Sequence, residues 1–285
     1  MKILMTGSHG FVGTNLIEAL SDKHEIIRWD ARVDQPLPEV EVVIHLAGLA
    51  HDTKHTTEAE AYYKVNTILT QQIYDRFLAS SAKKFIFFSS IMAQDGDTPY
   101  ALSKKKAEEY ILEKLKIENG KLNERQTYIL RPCMIHGKGV KGNLPLLYKI
   151  VKSGFPWPLA AFENKRSFAS MGNVCYIVSE LLCNEVESGV YPICDDDTIS
   201  TNELIGVICG CLGKKTRLWR IPCWLMRGCA RVGDVLHLPL NRERLGKLTE
   251  NYVADNTKIK QVLGIEELPI KTIEGLKSTI NFITI

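Results

Sequence analysis

The stretch Lys2-Ile3-Leu4-Met5-Thr6-Gly7-Ser8-His9-Gly10-Phe11-Val12-Gly13 decides the fold. A short apolar run of strand length ends in glycines at every third position. Apolar residues at helical spacing follow: Phe11, Val12, Leu16, Ile17 and Leu20. Between a strand and a helix, Gly-x-x-Gly-x-x-Gly acquires a physical meaning. Gly7 permits a tight turn out of the strand, Gly10 lets the backbone approach a phosphate, and Gly13 lets the helix pack on the sheet. The helix start then offers unpaired N–H groups and partial positive charge to an anion. The stretch reads as a cradle for the pyrophosphate of a nicotinamide dinucleotide; the plain alternative is a glycine turn without a ligand.

Working outward, strand and helix patterns alternate. His24–Trp29 and Val40–Leu46 read as strands, Glu58–Ser80 as a helix, Lys84–Ser89 as a strand, Tyr100–Glu118 as a long amphipathic helix and Gln126–Leu130 as another strand. Continuous apolar strands alternating with helices predict an α/β fold, a Rossmann-type doubly wound parallel sheet. After about Ile135 the alternation loosens and Gly and Pro become frequent. The expected division is a dinucleotide-binding domain over 1–135 and a smaller C-terminal α/β substrate lobe over 136–285, interwoven with the sheet domain.

Asp30 ends the second strand, seventeen residues past Gly13. A carboxylate there accepts hydrogen bonds from ribose hydroxyls and favours NAD, whereas Arg28 or Arg32 beside it suits a 2′-phosphate and keeps NADP open. Downstream, Tyr100 and Lys104 stand four apart at the start of the long helix, so phenol and ammonium share one face. A nearby cation lowers a phenol's pKa, which fits Tyr100 as a proton-exchanging group while a nicotinamide exchanges a hydride. Ser89-Ser90, closing the preceding strand, supply hydroxyls for the same substrate oxygen.

Composition excludes some classes. The chain has 285 residues and a net charge of +3, with acids and bases interspersed, which argues against nucleic acid or a membrane surface as partner. The apolar run Ile221 to Leu240 is broken by Arg227, Arg231, Asp234 and Pro239, so no membrane insertion is expected. Met1–Met5 runs straight into the glycine loop, so no leader is expected, and the eight cysteines lack metal-ligand spacing. Free buried thiols, no metal site and a cytoplasmic location are expected.

Thr6-Gly-x-x-Gly-x-x-Gly13, His45-Leu-Ala-Gly48, Asn66, Ser89-Ser90, Tyr100-x-x-x-Lys104 and Arg131-Pro132 together resemble the extended short-chain dehydrogenases/reductases, and within them the NAD-dependent epimerase/dehydratase family acting on nucleotide sugars. The resemblance runs over nearly the whole chain and takes in His136-Gly-Lys-Gly139, Gly142-Asn143-Leu144, Arg166-Ser-Phe168 and Asn202-Glu-Leu204. It implies Ser90, Tyr100 and Lys104 as the catalytic trio. It also implies cofactor contacts from Gly7, His9, Gly10, Phe11, Val12, Gly13, Asp30, Arg32, Leu46, Ala47, Gly48, Asn66, Ser89, Tyr100 and Lys104. Ser90, Asn143 and Arg166 are the implied substrate contacts, and a homodimer through the two long helices is the family's habit. Tyr62, Ile68, Ile73, Ile111 and Leu115 are the apolar residues on those helices that an interface or the core could use.

Four departures from the family narrow the reaction. The dehydratases' Asp-Glu pair after the serine is Ile91-Met92 here, which moves no protons, and Gln94 and Asp95 stand where a loop tyrosine is usual. The loop from Ser90 to Tyr100 is short, implying a more open sugar pocket. Gly172 replaces the acid that closes the Arg-x-Phe-x-x-x-Asp stretch. The expectation is hydride transfer at a sugar ring carbon by a C4 epimerase or 4-ketoreductase, with dehydration set aside. The alternatives are a non-catalytic NAD(P) sensor, against which Tyr100 and Lys104 both count, and a reductase of another small carbonyl compound.

Overall fold

In the structure, a computed structural model, residues 1–33, 35–50, 57–119, 125–236, 238 and 240–284 are described. In chain order the first elements are β1 (Lys2–Thr6), α1 (Phe11–Leu20), β2 (Glu25–Trp29), β3 (Val42–His45), α2 (Ala59–Tyr62), a π-helical turn (Tyr63–Ile68), α3 (Leu69–Leu78), β4 (Lys84–Phe88), α4 (Met92–Asp95), α5 (Pro99–Asn119) and β5 (Gln126–Pro132). Then come β6 (Met134–His136), α6 (Asn143–Lys152), β7 (Phe168–Ser170), α7 (Met171–Cys183), β8 (Gly189–Ile193), α8 (Thr201–Cys211), α9 (Cys223–Leu236), α10 (Arg242–Thr249), α11 (Thr257–Leu263) and α12 (Thr272–Thr284).

The chain forms two units. The first holds 1–133, 171–194 and 255–269; the second holds 134–170, 195–254 and 270–285. The chain returns to the first unit twice after leaving it, so residues 136–285 are divided between the two units. The first return supplies β8, whose partner β5 lies some sixty residues earlier.

The first unit is a six-stranded parallel sheet in the order β2-β1-β3-β4-β5-β8. Its strands are apolar because helices cover both faces: Ile3, Leu4 and Met5 of β1 and all of Val42–His45 in β3 are buried. Beneath one face, Leu4, Val43, Phe85, Phe87 and Ile129 pack with Ile73, Phe77, Ala107 and Ile111 from α3 and α5. Tyr62, Ile73, Ile111 and Leu115 are therefore core residues, and of the apolar residues considered for a helix-mediated dimer only Ile68 is exposed. The strand order reverses between β1 and β3, and the crevice beyond the carboxyl ends at such a switch is where open α/β sheets bind ligands.

The second unit pairs β6 with β7 in parallel and is otherwise helical. Its core gathers Leu144 and Leu147 of α6, Phe168, Leu204, Ile205 and Ile208 of α8, Met226 and Ala230 of α9, and Leu276 and Ile280 of α12. All eight cysteines are free. Cys183 and Cys229 are exposed, unlike the buried thiols expected from their apolar neighbours.

Candidate active site

The glycine loop is shaped by close backbone approach. Gly7 has φ +64°, and a Cβ on it would lie 2.6 Å from the Ala47 nitrogen beyond β3. A Cβ on Gly13 would lie 2.6 Å from the Gly7 carbonyl oxygen and 2.8 Å from Ser8 Cα. The loop is closed by Gly10 N–H donating to the Gly7 carbonyl at 3.0 Å. Gly10 precedes α1, and no side chain of the N-cap residue bonds the first N–H groups of the helix. These are the features a pyrophosphate needs. His9 is exposed, and Phe11 and Val12 are half-buried on the first turn of α1.

Across the switch, Thr6 and His45 hold the second loop. Backbone N–H groups of Leu46 and Ala47 donate to Thr6 Oγ1 at 3.2 and 3.1 Å, so the Thr6 hydroxyl proton goes to His45 Nδ1, 2.8 Å away. The other ring nitrogen lies 3.0 Å from Thr70 Oγ1, whose own proton goes to the Asn66 carbonyl. His45 is therefore neutral and protonated on Nε2; complete burial, aided by the Lys104 charge, lowers its pKa to about 3.

The expected continuous helix Glu58–Ser80 is interrupted by the π-helical turn Tyr63–Ile68, in which Leu69 N–H reaches back five residues to the Lys64 carbonyl. Single π turns accommodate an extra residue and recur at functional sites. Here the turn carries the fully buried Asn66. Its amide oxygen accepts from Leu49 N–H at 2.8 Å, and its amide nitrogen donates to Ser103 Oγ at 3.1 Å. A Cβ on Gly48 would lie 2.9 Å from Asn66 Oδ1 and 3.3 Å from Lys104 Nζ, so these three groups converge.

Helix α5 starts with Pro99 at its first position and Thr98 accepting from Ala101 N–H at 3.2 Å. That start places Tyr100 and Lys104 one turn apart. Ser90 hydrogen-bonds the Tyr100 phenol, which also packs edge-on to the Tyr62 ring at 6.0 Å. Burial pushes the phenol pKa up, and the Ser90 bond opposes it. The mechanism expected from spacing, a lysine lowering the phenol's pKa, is not what governs Tyr100 here. The Lys104 ammonium instead donates to the Phe88 carbonyl at 2.8 Å and lies over the Phe87 ring at 4.9 Å. Burial brings its own pKa down to about 8, with Glu108 opposing.

Ser89 differs from Ser90 in its partner. Its hydroxyl donates to Glu108, a buried carboxylate that also takes Arg131 at 2.5 Å. Ser89 thus ties β4 to α5 through its side chain, and Ser90 is the serine aimed at the phenol. Neither Glu108 nor Thr70 is legible as a site residue: Glu108 lies among the many charges of α5, and only packing separates the buried one. Ile91 caps and Met92 opens the single turn of α4, and neither side chain could transfer a proton. Among the described residues no cluster of His, Cys, Asp or Glu could hold a metal ion.

Asp30, just past β2, is exposed and already paired: Arg32 donates to it through Nε at 2.9 Å and a terminal nitrogen at 2.8 Å. Those bonds hold its pKa down at about 2, so it is a carboxylate throughout the working range. In the second unit, Asn143 is the exposed first residue of α6, following Gly142. Arg166 is half-buried, with its guanidinium on the Lys247 carbonyl and its backbone paired with Ile199.

Residues 3–193 match the family model described as NAD dependent epimerase/dehydratase family. A UDP-glucose 4-epimerase of Vibrio cholerae is 28% identical over 98% of this chain and 94% of its own length. An N-acetyl-alpha-D-glucosaminyl-diphospho-ditrans,octacis-undecaprenol 4-epimerase of Escherichia coli O157:H7 is 28% identical over 78% of this chain and 75% of its own. Among solved structures, UDP-glucuronic acid 4-epimerase from Bacillus cereus in complex with UDP-glucuronic acid and NAD has a TM-score of 0.74 at 18% identity. That superposition covers 100% of this chain and 99% of the other.

Proposed function

From the premise that this chain belongs to the NAD-dependent epimerase/dehydratase family, we propose that it is a 4-epimerase of a nucleotide sugar that works with NAD. Two curated relatives are 4-epimerases by name, which supports epimerisation over net reduction. The observation that carries the reading is the Ser90–Tyr100 hydrogen bond one helical turn from a buried lysine. A nicotinamide dinucleotide, when bound, supplies the acceptor and donor of the C4 hydride.

The chain's own part is to bind, orient and move a proton. The N–H groups at the start of α1, with the bare backbone of Gly7, Gly10 and Gly13, hold the pyrophosphate. His9, Phe11 and Val12 line that turn, and Leu46, Ala47 and Gly48 wall the crevice at the switch. Asp30 takes the adenosine ribose hydroxyls, which selects NAD, and Arg32 positions it. The Lys104 ammonium, oriented by the Phe88 carbonyl, holds the second ribose. Tyr100 exchanges the proton of the C4 oxygen with Ser90 donating to the same oxygen. A phenol kept protonated by burial is ready to donate to a C4 carbonyl. The opposite half-reaction needs the phenolate, which the Ser90 hydrogen bond favours. Asn143 and Arg166 serve the nucleotide diphosphate, and Ile91-Met92 excludes the acid–base pair dehydration requires.

Interconversion of UDP-glucose and UDP-galactose, and of a polyprenyl-diphosphate-linked N-acetylhexosamine pair, tests the reading. Tyr100→Phe should lower turnover by about 10²–10⁴-fold with NAD binding unchanged. Equal turnover in the variant would remove Tyr100 from its role. Stoichiometric consumption of NAD(P)H with a 4-ketosugar would replace epimerase with ketoreductase.

A further inference from the structure

Helix α9 buries one edge and leaves a wide apolar face uncovered. Met226, Ala230 and Gly233 face the core of the second unit. Trp224, Leu225, Val232, Val235 and Leu236 face away from it, with Trp224 74% and Val235 75% exposed. Leu225, Gly228, Cys229, Val232 and Leu238 line a shallow groove beside Trp224. In the strand-like segment just before the helix, Leu218 and Trp219 are exposed as well. A contiguous exposed apolar surface of this kind marks an interaction site.

The charges along this segment are predominantly basic. Residues 214–236 hold Lys214, Lys215, Arg217, Arg220, Arg227 and Arg231 against a single acid, Asp234, which is itself paired with Arg242. The whole chain has 36 Lys and Arg against 33 Asp and Glu, so its remainder carries more acids than bases. The even scatter of charge expected from composition fails locally.

We infer that this face docks on the surface of an anionic lipid bilayer, with α9 lying in the interface plane. Tryptophan and aliphatic side chains on one face and arginines on its flank are what an interfacial helix needs. No helix of the described residues is long and apolar enough to cross a membrane, so the helix lies on the bilayer and does not span it. Charge also argues against a second copy as occupant: a two-fold contact would bring the same basic segment against itself. The inference is independent of the catalytic reading, because its test measures no turnover.

The test is flotation with vesicles of phosphatidylcholine alone and of phosphatidylcholine with 30% phosphatidylglycerol, at low and high salt. The wild-type chain should float with the anionic vesicles at low salt and be released by salt. Trp224→Ser/Val235→Ser should lower the partition coefficient by at least ten-fold, and Arg217→Gln/Arg220→Gln/Arg231→Gln should remove the preference for anionic lipid. Tryptophan emission should shift to the blue on docking, since Trp219 and Trp224 are exposed while Trp29 and Trp157 are buried. Retained circular dichroism and NAD binding show that the variants are folded. Wild-type protein that fails to float at low salt overturns the inference. So does a wild type that sediments as a dimer where Trp224→Ser/Val235→Ser is a monomer, which would make the face an interface between copies.

Discussion

Gly13→Ala is the sharpest perturbation of the proposed cofactor cradle. The new Cβ would meet three backbone atoms and no side chain: Gly7 O at 2.6 Å, Ser8 Cα at 2.8 Å and Ser8 C at 2.9 Å. Ordinary contact starts at 3.4 Å, so helix and loop must part by up to 0.8 Å. No rotamer can absorb that shift, and overpacking of this kind costs about 1–3 kcal/mol. At about 2–4 °C per kcal/mol for a chain this size, Tm falls by about 2–12 °C. The displaced loop is also the proposed pyrophosphate support, and misplacement approaching 1 Å costs about 10²-fold in kcat/KM. Gly206→Ala is the control. Nothing lies within 4 Å of its added Cβ, and it sits inside α8, so it should stabilise by about 0.4–1 kcal/mol with NAD binding unchanged. Calorimetric titration with NAD and thermal melts of both variants decide the matter. A Gly13→Ala protein with wild-type Tm and NAD affinity would refute the reasoning.

Acidification should act through His45. Its folded pKa is near 3 against 6.5 for the free ring, so below 6.5 the unfolded chain binds a proton that the native one refuses. Stability then drops by about 1.4 kcal/mol per pH unit as pH falls. Melts at pH 6.5 and 5 should show a loss about 2 kcal/mol larger in wild type than in His45→Gln; equal losses would count against a neutral buried ring. Asp30→Ala frees the Arg32 guanidinium, and the ratio of NADP to NAD affinity should rise by at least about ten-fold; an unchanged ratio would take Asp30 out of cofactor selection. Glu108→Gln leaves the Arg131 guanidinium without its charge partner and should cost about 3–5 kcal/mol in denaturant unfolding. Adding Arg131→Met should recover part of that loss, since the two act as a pair.

Much of the first unit was legible because its signals are local. The β1 run, the glycine spacing and the helical periodicity after Phe11 all lie within twenty residues. Tyr100 and Lys104 share a face by helical geometry alone, whereas the approach of Gly48 to both Asn66 and Lys104 is a tertiary contact. What failed to show in the sequence depends on partners far along the chain. Periodicity marks the apolar stripe on a helix without saying what covers it. Tyr62, Ile73, Ile111 and Leu115 are therefore core, while the equally apolar Trp224 and Val235 are left uncovered.

The sequence by itself determined the strand–glycine–helix unit and the residue types proposed to meet a dinucleotide, because those depend on backbone sterics and spacings of a few residues. The tertiary structure decided where each polar group spends its hydrogen bonds. It turned Ser89 to Glu108 and Ser90 to Tyr100, sent the Lys104 ammonium to the Phe88 carbonyl, and brought β8 beside β5. Adjacent serines have the same chemistry until a buried carboxylate stands beside one of them. Only packing of residues distant in sequence puts it there.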